Sequence, residues 1–191
     1  MASETAALSD HFPPRPGRCH EVCGAGAPAF AAIALGARGG AALWICGTWR
    51  ADRLYPEGVA PFCDPAKLLI AEVDTERDML ASAEEALRSG AVTAVVAEPQ
   101  KPLDLTAGRR LQLAAEAGGS LGLMLIAEGA GSNAAESRWR CAPQSDSRFH
   151  RADSTRQTWA LIKNKTGILK SWNVCWDAKT HSIAVVPPSG E

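Results

Sequence analysis

The sequence predicts an α/β domain in which helices flank a mostly parallel β-sheet, with antiparallel strands at its C-terminal side. Three observations support this fold class. Short apolar runs alternate with helical patterns along residues 17–126, which is typical of parallel strands joined by helical crossovers. A glycine-rich turn at 24–26 joins the first apolar run to the first helical pattern. Residues 138–186 contain apolar runs separated by short turns, which indicates antiparallel strands.

The first elements can be assigned in chain order. Cys19–Cys23 is the first strand candidate, and the helix Pro28–Arg38 follows it. This helix carries proline in its first turn, where the missing N–H costs nothing. The continuous apolar run Ala41–Cys46 is typical of a strand covered on both faces. A proline-rich loop then leads to the strand Lys67–Val73.

The clearest helix follows this strand. Asp74 is a good N-cap residue, and Glu76 and Asp78 place negative charge where the helix dipole favours it. Gly90 marks the end of the helix. Five apolar residues recur at helical spacing and form one face: Met79, Leu80, Ala83, Ala86 and Leu87.

The rest of the chain continues the alternation and then changes to strands. The predicted elements are the strand Ala91–Ala97, the helix Thr106–Ala117, the strand Leu121–Ile126, and strand candidates at Arg138–Cys141, Trp159–Lys163, Ile168–Trp176 and Ser182–Val186. We therefore expect a flexible leader at 1–16, a single domain at 17–186 and a tail at 187–191.

Composition excludes some classes of function. The chain has 191 residues, 46% of them hydrophobic, which is ordinary for one soluble globular domain. The formal net charge of −1 provides no global attraction to nucleic acid or to a membrane surface. No apolar stretch reaches the roughly 18–20 residues that span a bilayer, and no secretory signal pattern opens the chain. These features predict a cytoplasmic protein without a membrane partner.

Six cysteines raise the question of a metal site or of disulfides. No CxxC pair occurs, and a tetrahedral zinc site would need a second ligand pair at workable spacing. We therefore predict no metal and interpret the cysteines as buried free thiols. They are Cys19, Cys23, Cys46, Cys63, Cys141 and Cys175.

The glycine-rich turn stands where a phosphate-binding loop would be. A Walker A loop would place glycine, lysine and serine or threonine where this chain has Ala29, Phe30 and Ala31. Alanine and phenylalanine provide neither the charge for the phosphates nor the hydroxyl for magnesium. Gly24 and Gly26 either shape the turn alone or retain a weak anion site built from backbone N–H groups.

Tryptophans divide into two predicted groups. Trp44, Trp159 and Trp176 lie in apolar strands and are predicted to belong to the core. The other three have charged or polar neighbours, and tryptophan beside arginine is typical of protein interfaces. They are the candidate partner contacts Trp49, Trp139 and Trp172.

Several segments resemble the RecA recombinases. GRCHEVCG at 17–24 resembles the segment that leads into the RecA phosphate loop. EALRSGA followed by VTAVVAE at 85–98 resembles the RecA helix and Walker B strand. Thr155-Arg156 with Lys163-Asn164-Lys165 resembles the RecA segment whose lysines reach the nucleotide of a neighbouring subunit. Within this superfamily, the combination is most similar to the ImuA family, which is related to SulA-type cell-division inhibitors.

The resemblance implies a RecA-like fold with a degenerate nucleotide site at Gly24, Ala29, Phe30, Ala31 and Glu98. Glu98 stands where RecA has the Walker B aspartate. Thr48 falls where the catalytic glutamate should follow the second strand, and Ala127 with Glu128 replace the glutamine switch. We therefore expect a protein that is not an enzyme and needs no cofactor.

The ImuA resemblance further implies a non-catalytic adaptor in SOS-induced, error-prone translesion DNA synthesis. Its expected partners are RecA, a Y-family polymerase-like hub protein and an error-prone DNA polymerase. The expected docking face is the basic segment 138–176, with Lys163, Asn164 and Lys165 as contacts. Two alternatives stay open: a SulA-like cell-division inhibitor, and a weak RecA-class ATPase that uses Lys163, Lys165 and Glu98. The sequence leaves direct DNA binding and oligomeric state open.

Overall fold

The computed structural model describes residues 7–144 and 154–187, whose strands form a nine-stranded sheet. The strands are β1 (Arg18–Cys23), β2 (Ala42–Gly47), β3 (Leu68–Val73), β4 (Ala94–Ala97), β5 (Leu121–Leu125), β6 (Ser137–Pro143), β7 (Ser154–Asn164), β8 (Lys170–Asp177) and β9 (Ser182–Val185). Their spatial order is β3-β2-β4-β5-β1-β6-β7-β8-β9. Pairing is parallel from β3 to β6 and antiparallel from β6 to β9.

Helices cover both faces of the parallel part. They are α1 (Ala27–Arg38), α2 (Pro56–Val59), α3 (Glu76–Ser89) and α4 (Leu105–Gly118). The buried side of α1 packs in one apolar core with the C-terminal strands, while α3 and α4 share a second core on the opposite face. The predicted fold class, a mostly parallel sheet flanked by helices with antiparallel strands at the C-terminal side, is confirmed. None of the helices in the described residues is long and apolar enough to cross a bilayer.

Helix α3 begins one residue later than the sequence predicts. Its N-cap is Thr75, whose hydroxyl oxygen accepts the backbone N–H of Asp78 at 3.1 Å. Asp74 instead accepts a hydrogen bond from the Thr48 hydroxyl at 3.0 Å. Threonine and aspartate both cap helices well. Here the Asp74 carboxylate accepts a hydrogen bond from Thr48, which follows β2, and Thr75 caps the helix instead.

Aromatic side chains fill the core beneath α1. Phe30 is fully buried, and its ring centroid lies 4.6 Å from that of Trp159 and 5.2 Å from that of Trp139. Trp172 extends the cluster, with its ring centroid 5.8 Å from that of Trp139. The prediction that Trp44, Trp159 and Trp176 belong to the core is confirmed.

The segment preceding β1 packs on this core. Leu8 and Phe12 are buried, and the Phe12 ring contacts both Phe30 and Trp159. Within the predicted leader, residues 7–16 thus contact the core through two apolar side chains. Residues 1–6 of that leader, and 188–191 of the predicted tail, lie outside the described residues.

A buried hydrogen-bond chain also holds this segment. His20 in β1 is 3% exposed, and its Nε2 donates to the carbonyl oxygen of Arg15 at 3.0 Å. Because that carbonyl only accepts, Nε2 carries the proton, and Nδ1 accepts from the Ser137 hydroxyl at 2.7 Å. The same hydroxyl oxygen accepts the indole N–H of Trp139 at 3.1 Å. The chain is fully satisfied only while His20 is neutral.

We expect this histidine to make the fold sensitive to acid. Burial lowers the pKa of His20 to about 4, so the unfolded chain binds a proton below its usual pKa of 6.5 while the folded chain does not. This contribution to stability is complete above pH 6.5 and falls by about 3 kcal/mol by pH 4. In urea unfolding, the free energy of unfolding should fall less between pH 7 and pH 4 in His20→Asn than in the wild type. His181→Asn, at an exposed histidine, is the control, and an unchanged pH slope in His20→Asn would contradict the prediction.

The cysteines match their interpretation as free thiols. Five are buried and Cys175 is half-buried, and none forms a disulfide. Burial raises the pKa of the Cys19 thiol to about 12 and that of the Cys63 thiol to about 11. These thiols therefore behave as small apolar side chains of the core.

Candidate nucleotide site and partner-contact surfaces

The turn between β1 and α1 lies directly against the backbone of β6. The backbone N–H of Gly26 donates to the carbonyl oxygen of Cys141 at 2.9 Å. A Cβ atom on Gly26 would lie 2.6 Å from Oε1 of Gln157 and 3.1 Å from the carbonyl carbon of Cys141, so a larger residue would have to displace the buried Gln157 side chain. Gly24 adopts φ +90°, and a Cβ atom on it would lie 2.4 Å from the Cys141 carbonyl oxygen. Both glycines thus allow the turn to lie close to the backbone of β6.

The first amides of α1 are engaged within the turn or absent. The Gly26 N–H is taken by β6, and the Ala27 N–H donates to the carbonyl oxygen of Gly24 at 3.0 Å. Pro28 has no N–H. A phosphate cradle needs several such N–H groups directed at the ligand. The local hydrogen bonding therefore favours the structural interpretation of the turn over a retained anion site.

Ala29, Phe30 and Ala31, which the RecA resemblance compares with a Walker A loop, lie near the start of α1. Phe30 and Ala31 are fully buried, and Ala29 is half-buried. The Phe30 side chain points into the aromatic cluster beneath the helix. Phe30 therefore packs between sheet and helix.

Glu98 is a half-buried hydrogen-bond acceptor at the end of β4. Its carboxylate accepts the indole N–H of Trp44 at 2.6 Å and pairs with Nε of Arg50 at 2.8 Å. The side chain is 11% exposed. Its partners in the structure are thus an indole and a guanidinium. Glu98 thereby holds the loop after β2 against the end of β4.

A cleft of about 340 Å³ joins the Glu98 region to the start of α1. Its lining includes Pro28, Trp49, Arg50, Glu98 and Ile126. The structure therefore brings Glu98 and the first turn of α1 to the same edge of the sheet, at the carboxyl ends of parallel strands. Ligands of α/β sheets bind at such an edge.

Of the three tryptophans proposed as partner contacts, Trp49 is the one that keeps exposed surface. It is half-buried at this cleft, and its indole ring lies on the backbone of Gly47. A Cβ atom on Gly47 would lie 2.1 Å from the ring, so glycine is needed for this contact. The indole is therefore held in place while part of it faces solvent.

The prediction that Trp139 and Trp172 are exposed contacts is wrong. Trp139 is 1% exposed and Trp172 is 5% exposed. Successive side chains of a strand alternate between faces, so Trp139 points into the core while Arg140, beside it, is exposed. The neighbouring charges suggested a surface position for Trp139. The two-residue period of a strand would have assigned Trp139 and Arg140 to opposite faces of the sheet.

Lys163, Asn164 and Lys165 are held by contacts within the chain. The Lys163 ammonium donates to the carbonyl oxygens of Asn133 and Ala135, and burial lowers its pKa. The Lys165 ammonium lies 3.6 Å from a carboxylate oxygen of Glu136.

Asn164 closes the turn that follows β7. Its side-chain oxygen accepts the Thr166 backbone N–H at 3.2 Å, and its Nδ2 donates to the carbonyl oxygen of Ile168 at 3.3 Å. The Lys163–Lys165 segment therefore fastens the β5–β6 connection and the β7–β8 turn to each other.

A buried ion pair beside β1 was not predicted. The Glu21 side chain is 1% exposed and pairs with Nε of Arg138 at 2.8 Å. Its other oxygen accepts the backbone N–H of Ser132 at 2.7 Å, and Arg138 donates to the Ser132 carbonyl oxygen at 3.1 Å. The pair therefore fixes the β5–β6 connection. The glutamate of GRCHEVCG was visible in the sequence, but its partner lies 117 residues away.

Two bacterial proteins are similar in sequence to this chain. No protein-family profile matches the chain. Protein ImuA from two strains of Caulobacter vibrioides is 37% identical to it over 150 residues. The match covers 66% of this chain and 60% of each relative, so the chain spans less than two thirds of the relatives it matches. This similarity, on a fold that agrees with the predicted class, supports the assignment of the chain as an ImuA-type protein.

Proposed function

We propose that this chain is a non-catalytic, RecA-like adaptor in SOS-induced, error-prone translesion DNA synthesis. It would bind RecA together with a Y-family polymerase-like hub protein and an error-prone DNA polymerase. The proposal is supported by the similarity to Protein ImuA and by the motif order seen in the sequence. The adaptor acts through protein contacts and requires no nucleotide.

The proposal that the protein is not a catalyst rests on the packing of the turn before α1. The Gly26 N–H is bonded to β6, Pro28 lacks an N–H, and Phe30 occupies the core. Glu98 is paired with Arg50 and Trp44, so its carboxylate already has two partners. In addition, residues 29–31 contain neither the lysine nor the hydroxyl that ATP hydrolysis needs at a Walker A loop.

The contacts also change the surface that is proposed for docking. Trp139 and Trp172 stabilise the core, and Lys163 is bonded to main-chain carbonyls. Trp49 and Arg50, at the cleft beside α1, are better placed for a partner because both retain exposed surface. Aromatic and arginine side chains of this kind are enriched among interface residues that dominate binding energy.

Affinity capture tests the adaptor role. The tagged full chain is recovered from its own host after DNA damage, and retained proteins are identified by mass spectrometry. We expect RecA and DNA polymerase subunits. Recovery of the division-ring protein without polymerases would move the assignment to a SulA-like inhibitor, and recovery of neither group would remove the basis of the proposal. A Trp49→Ala variant should retain less of the partner that uses the cleft.

Nucleotide titration tests the non-catalytic role. Because Trp49 lies at the cleft beside α1, its fluorescence would report a nucleotide bound there. We expect ATP with Mg²⁺, up to millimolar concentration, to cause no saturable change after correction for absorbance with free tryptophan. A saturable change in the wild type that disappears in Trp49→Phe would contradict the proposal and favour the weak ATPase.

A further inference from the structure

Strand β3 forms one edge of the sheet. Among residues 7–144 and 154–187, its single neighbouring strand is β2, so its outer side is open. Two large apolar side chains stand at this edge on opposite faces of the sheet: Leu69 is 58% exposed and Ile70 is 48% exposed. An open edge strand presents main-chain hydrogen-bonding groups to another extended strand. The geometry of the edge therefore specifies the kind of segment that can cover it.

The opposite edge of the sheet, β9, is less suited to pairing. It has four residues, whereas β3 has six. Its side chains include the polar Ser182 and the small Ala184, and Pro187 follows soon after the strand. Polar side chains and proline are common protections of sheet edges. β3 contains no proline and a single charged residue, Glu72, so it is the less protected of the two edges.

The outer side of β3 presents the main-chain groups of alternate residues. The Val73 carbonyl oxygen accepts an N–H from the residue that follows β2, so Val73 faces the sheet. Because main-chain groups alternate between the two sides of a strand, those of Leu68, Ile70 and Glu72 point outward. One of them is engaged already, since the Leu68 N–H donates to the Pro65 carbonyl oxygen.

We infer that β3 pairs with β3 of a second copy of this chain, antiparallel and with a two-fold axis beside Ile70. The outward groups are self-complementary in this arrangement. The N–H and carbonyl oxygen of Ile70 would bond those of Ile70 in the second copy. The Glu72 N–H would bond the carbonyl oxygen of Leu68 in the second copy, which is the group that Leu68 has left. Such an interface uses the same surface on both copies and closes as a dimer.

The side chains that meet across this axis are apolar. Residues directly opposite each other in an antiparallel pair lie on the same face of the sheet. Ile70 would contact Ile70 of the second copy on one face, and Leu69 would contact Ala71 of the second copy on the other. Pairing would therefore cover the two apolar side chains that the edge leaves exposed, which favours association.

The charged side chains near the edge favour the antiparallel direction. At one end of β3, Lys67 lies 3.9 Å from a carboxylate oxygen of Asp64. At the other end, Glu72 pairs with Arg53 at 3.2 Å, and Asp74 is exposed. Antiparallel pairing would place Lys67 beside Glu72 and Asp74 of the second copy, whereas parallel pairing would place like charges side by side.

Sedimentation equilibrium of the purified full chain, between about 1 and 200 μM, tests the inference. Because a short strand buries a small area, we expect a weak dimer with a dissociation constant of about 10–100 μM. Ile70→Lys places a charge at the two-fold axis and should raise this constant at least about tenfold. Leu113→Lys is the matched control, because Leu113 is 61% exposed on α4. It should change the constant less than about twofold, and circular dichroism checks that both variants are folded.

Engineered cysteines test the register of the pairing. In Ile70→Cys the two Cα atoms would lie about 5.5 Å apart, within the range of a disulfide. In Leu69→Cys they would be diagonal neighbours about 7–8 Å apart, which is too far. Val185→Cys, at an exposed position of β9, measures cross-linking by random collision, and the wild type controls for the half-buried Cys175. Under mild oxidation, we expect Ile70→Cys to form covalent dimers at least about tenfold faster than the others.

Three outcomes would overturn the inference. They are a chain that stays monomeric at 200 μM, a dimer that Ile70→Lys leaves unchanged, and cross-linking of Leu69→Cys or Val185→Cys as fast as that of Ile70→Cys. If the chain were monomeric and Ile70→Lys lost a protein recovered by affinity capture, the edge would bind a strand of that protein instead. The inference does not rest on the proposed function, and a monomeric chain would leave that proposal untouched because these measurements use no other protein.

Discussion

Replacement of Arg138 with alanine is expected to lower the free energy of unfolding by about 3–5 kcal/mol, the cost of leaving a buried charge unpaired. The Glu21 carboxylate is almost fully buried, and Arg138 is its ion-pair partner at 2.8 Å. The substitution also removes the hydrogen bond from Arg138 to the Ser132 carbonyl oxygen. Urea denaturation followed by tryptophan fluorescence measures the change.

Two controls separate the buried charge from other effects. Arg140→Ala changes an exposed arginine of the same strand and should cost less than about 0.5 kcal/mol. The double variant Glu21→Met with Arg138→Met replaces both charges by apolar groups and should be more stable than Arg138→Ala alone. A loss below about 1 kcal/mol for Arg138→Ala would show that water or another cation compensates Glu21.

Replacement of Phe30 with alanine is expected to cost about 3–5 kcal/mol, the usual effect of removing a buried aromatic ring. Phe30 is fully buried between three other aromatic rings, those of Phe12, Trp139 and Trp159. Phe30→Lys, which places the Walker A lysine in this chain, should cost more because an unpaired ammonium would enter the same apolar core. We expect that variant to be unfolded at 25 °C, as judged by near-UV circular dichroism.

Ala37→Lys is the matched control for these substitutions. It places a lysine at an exposed position of the same helix and should change stability by less than about 0.5 kcal/mol. If Phe30→Lys folded and bound ATP, the helix start would still be compatible with a phosphate site. The expected unfolding would instead mean that nucleotide binding cannot be regained by restoring the lysine alone.

The Arg138 and Phe30 substitutions both affect the surroundings of β1, but on opposite faces of the sheet. Glu21 and Arg138 fasten the β5–β6 connection, while Phe30 packs the start of α1 against β6 and β7. The region that corresponds to a nucleotide site in the RecA resemblance is therefore stabilised by an ion pair and an aromatic cluster. We expect this rigidity to preserve the surfaces that the adaptor role requires.

Periodicity and residue type were enough to predict the class of fold. Continuous apolar runs such as Ala41–Cys46 predicted strands covered on both faces, and β2 runs from Ala42 to Gly47 between β3 and β4 in the parallel part of the sheet. The apolar face of α3 and its stop at Gly90 were predicted because local spacing and the left-handed conformation of glycine determine them. The motif order of the RecA resemblance likewise needed only the sequence.

Which individual side chains are buried and which are exposed could not be predicted in the same way. Trp139 and Trp172 have charged or polar neighbours in sequence, yet the sheet turns them into the core because adjacent side chains of a strand face opposite sides. Residues 7–16 look polar, but Leu8 and Phe12 find apolar partners that are distant in the chain. Burial of this kind depends on contacts between elements and leaves little trace in local composition.

The sequence by itself determined the α/β alternation, the turn without phosphate-binding residues and the family resemblance. Only the tertiary structure decided that the turn before α1 is hydrogen-bonded to β6. It also decided that Glu98 binds the Trp44 indole and the Arg50 guanidinium, and that Glu21 pairs with Arg138. It also placed α3 beside α4 with a groove between their N-terminal halves. The physical reason is that propensity and periodicity act over neighbouring residues, whereas these pairings join groups that only the folded sheet brings within hydrogen-bond distance.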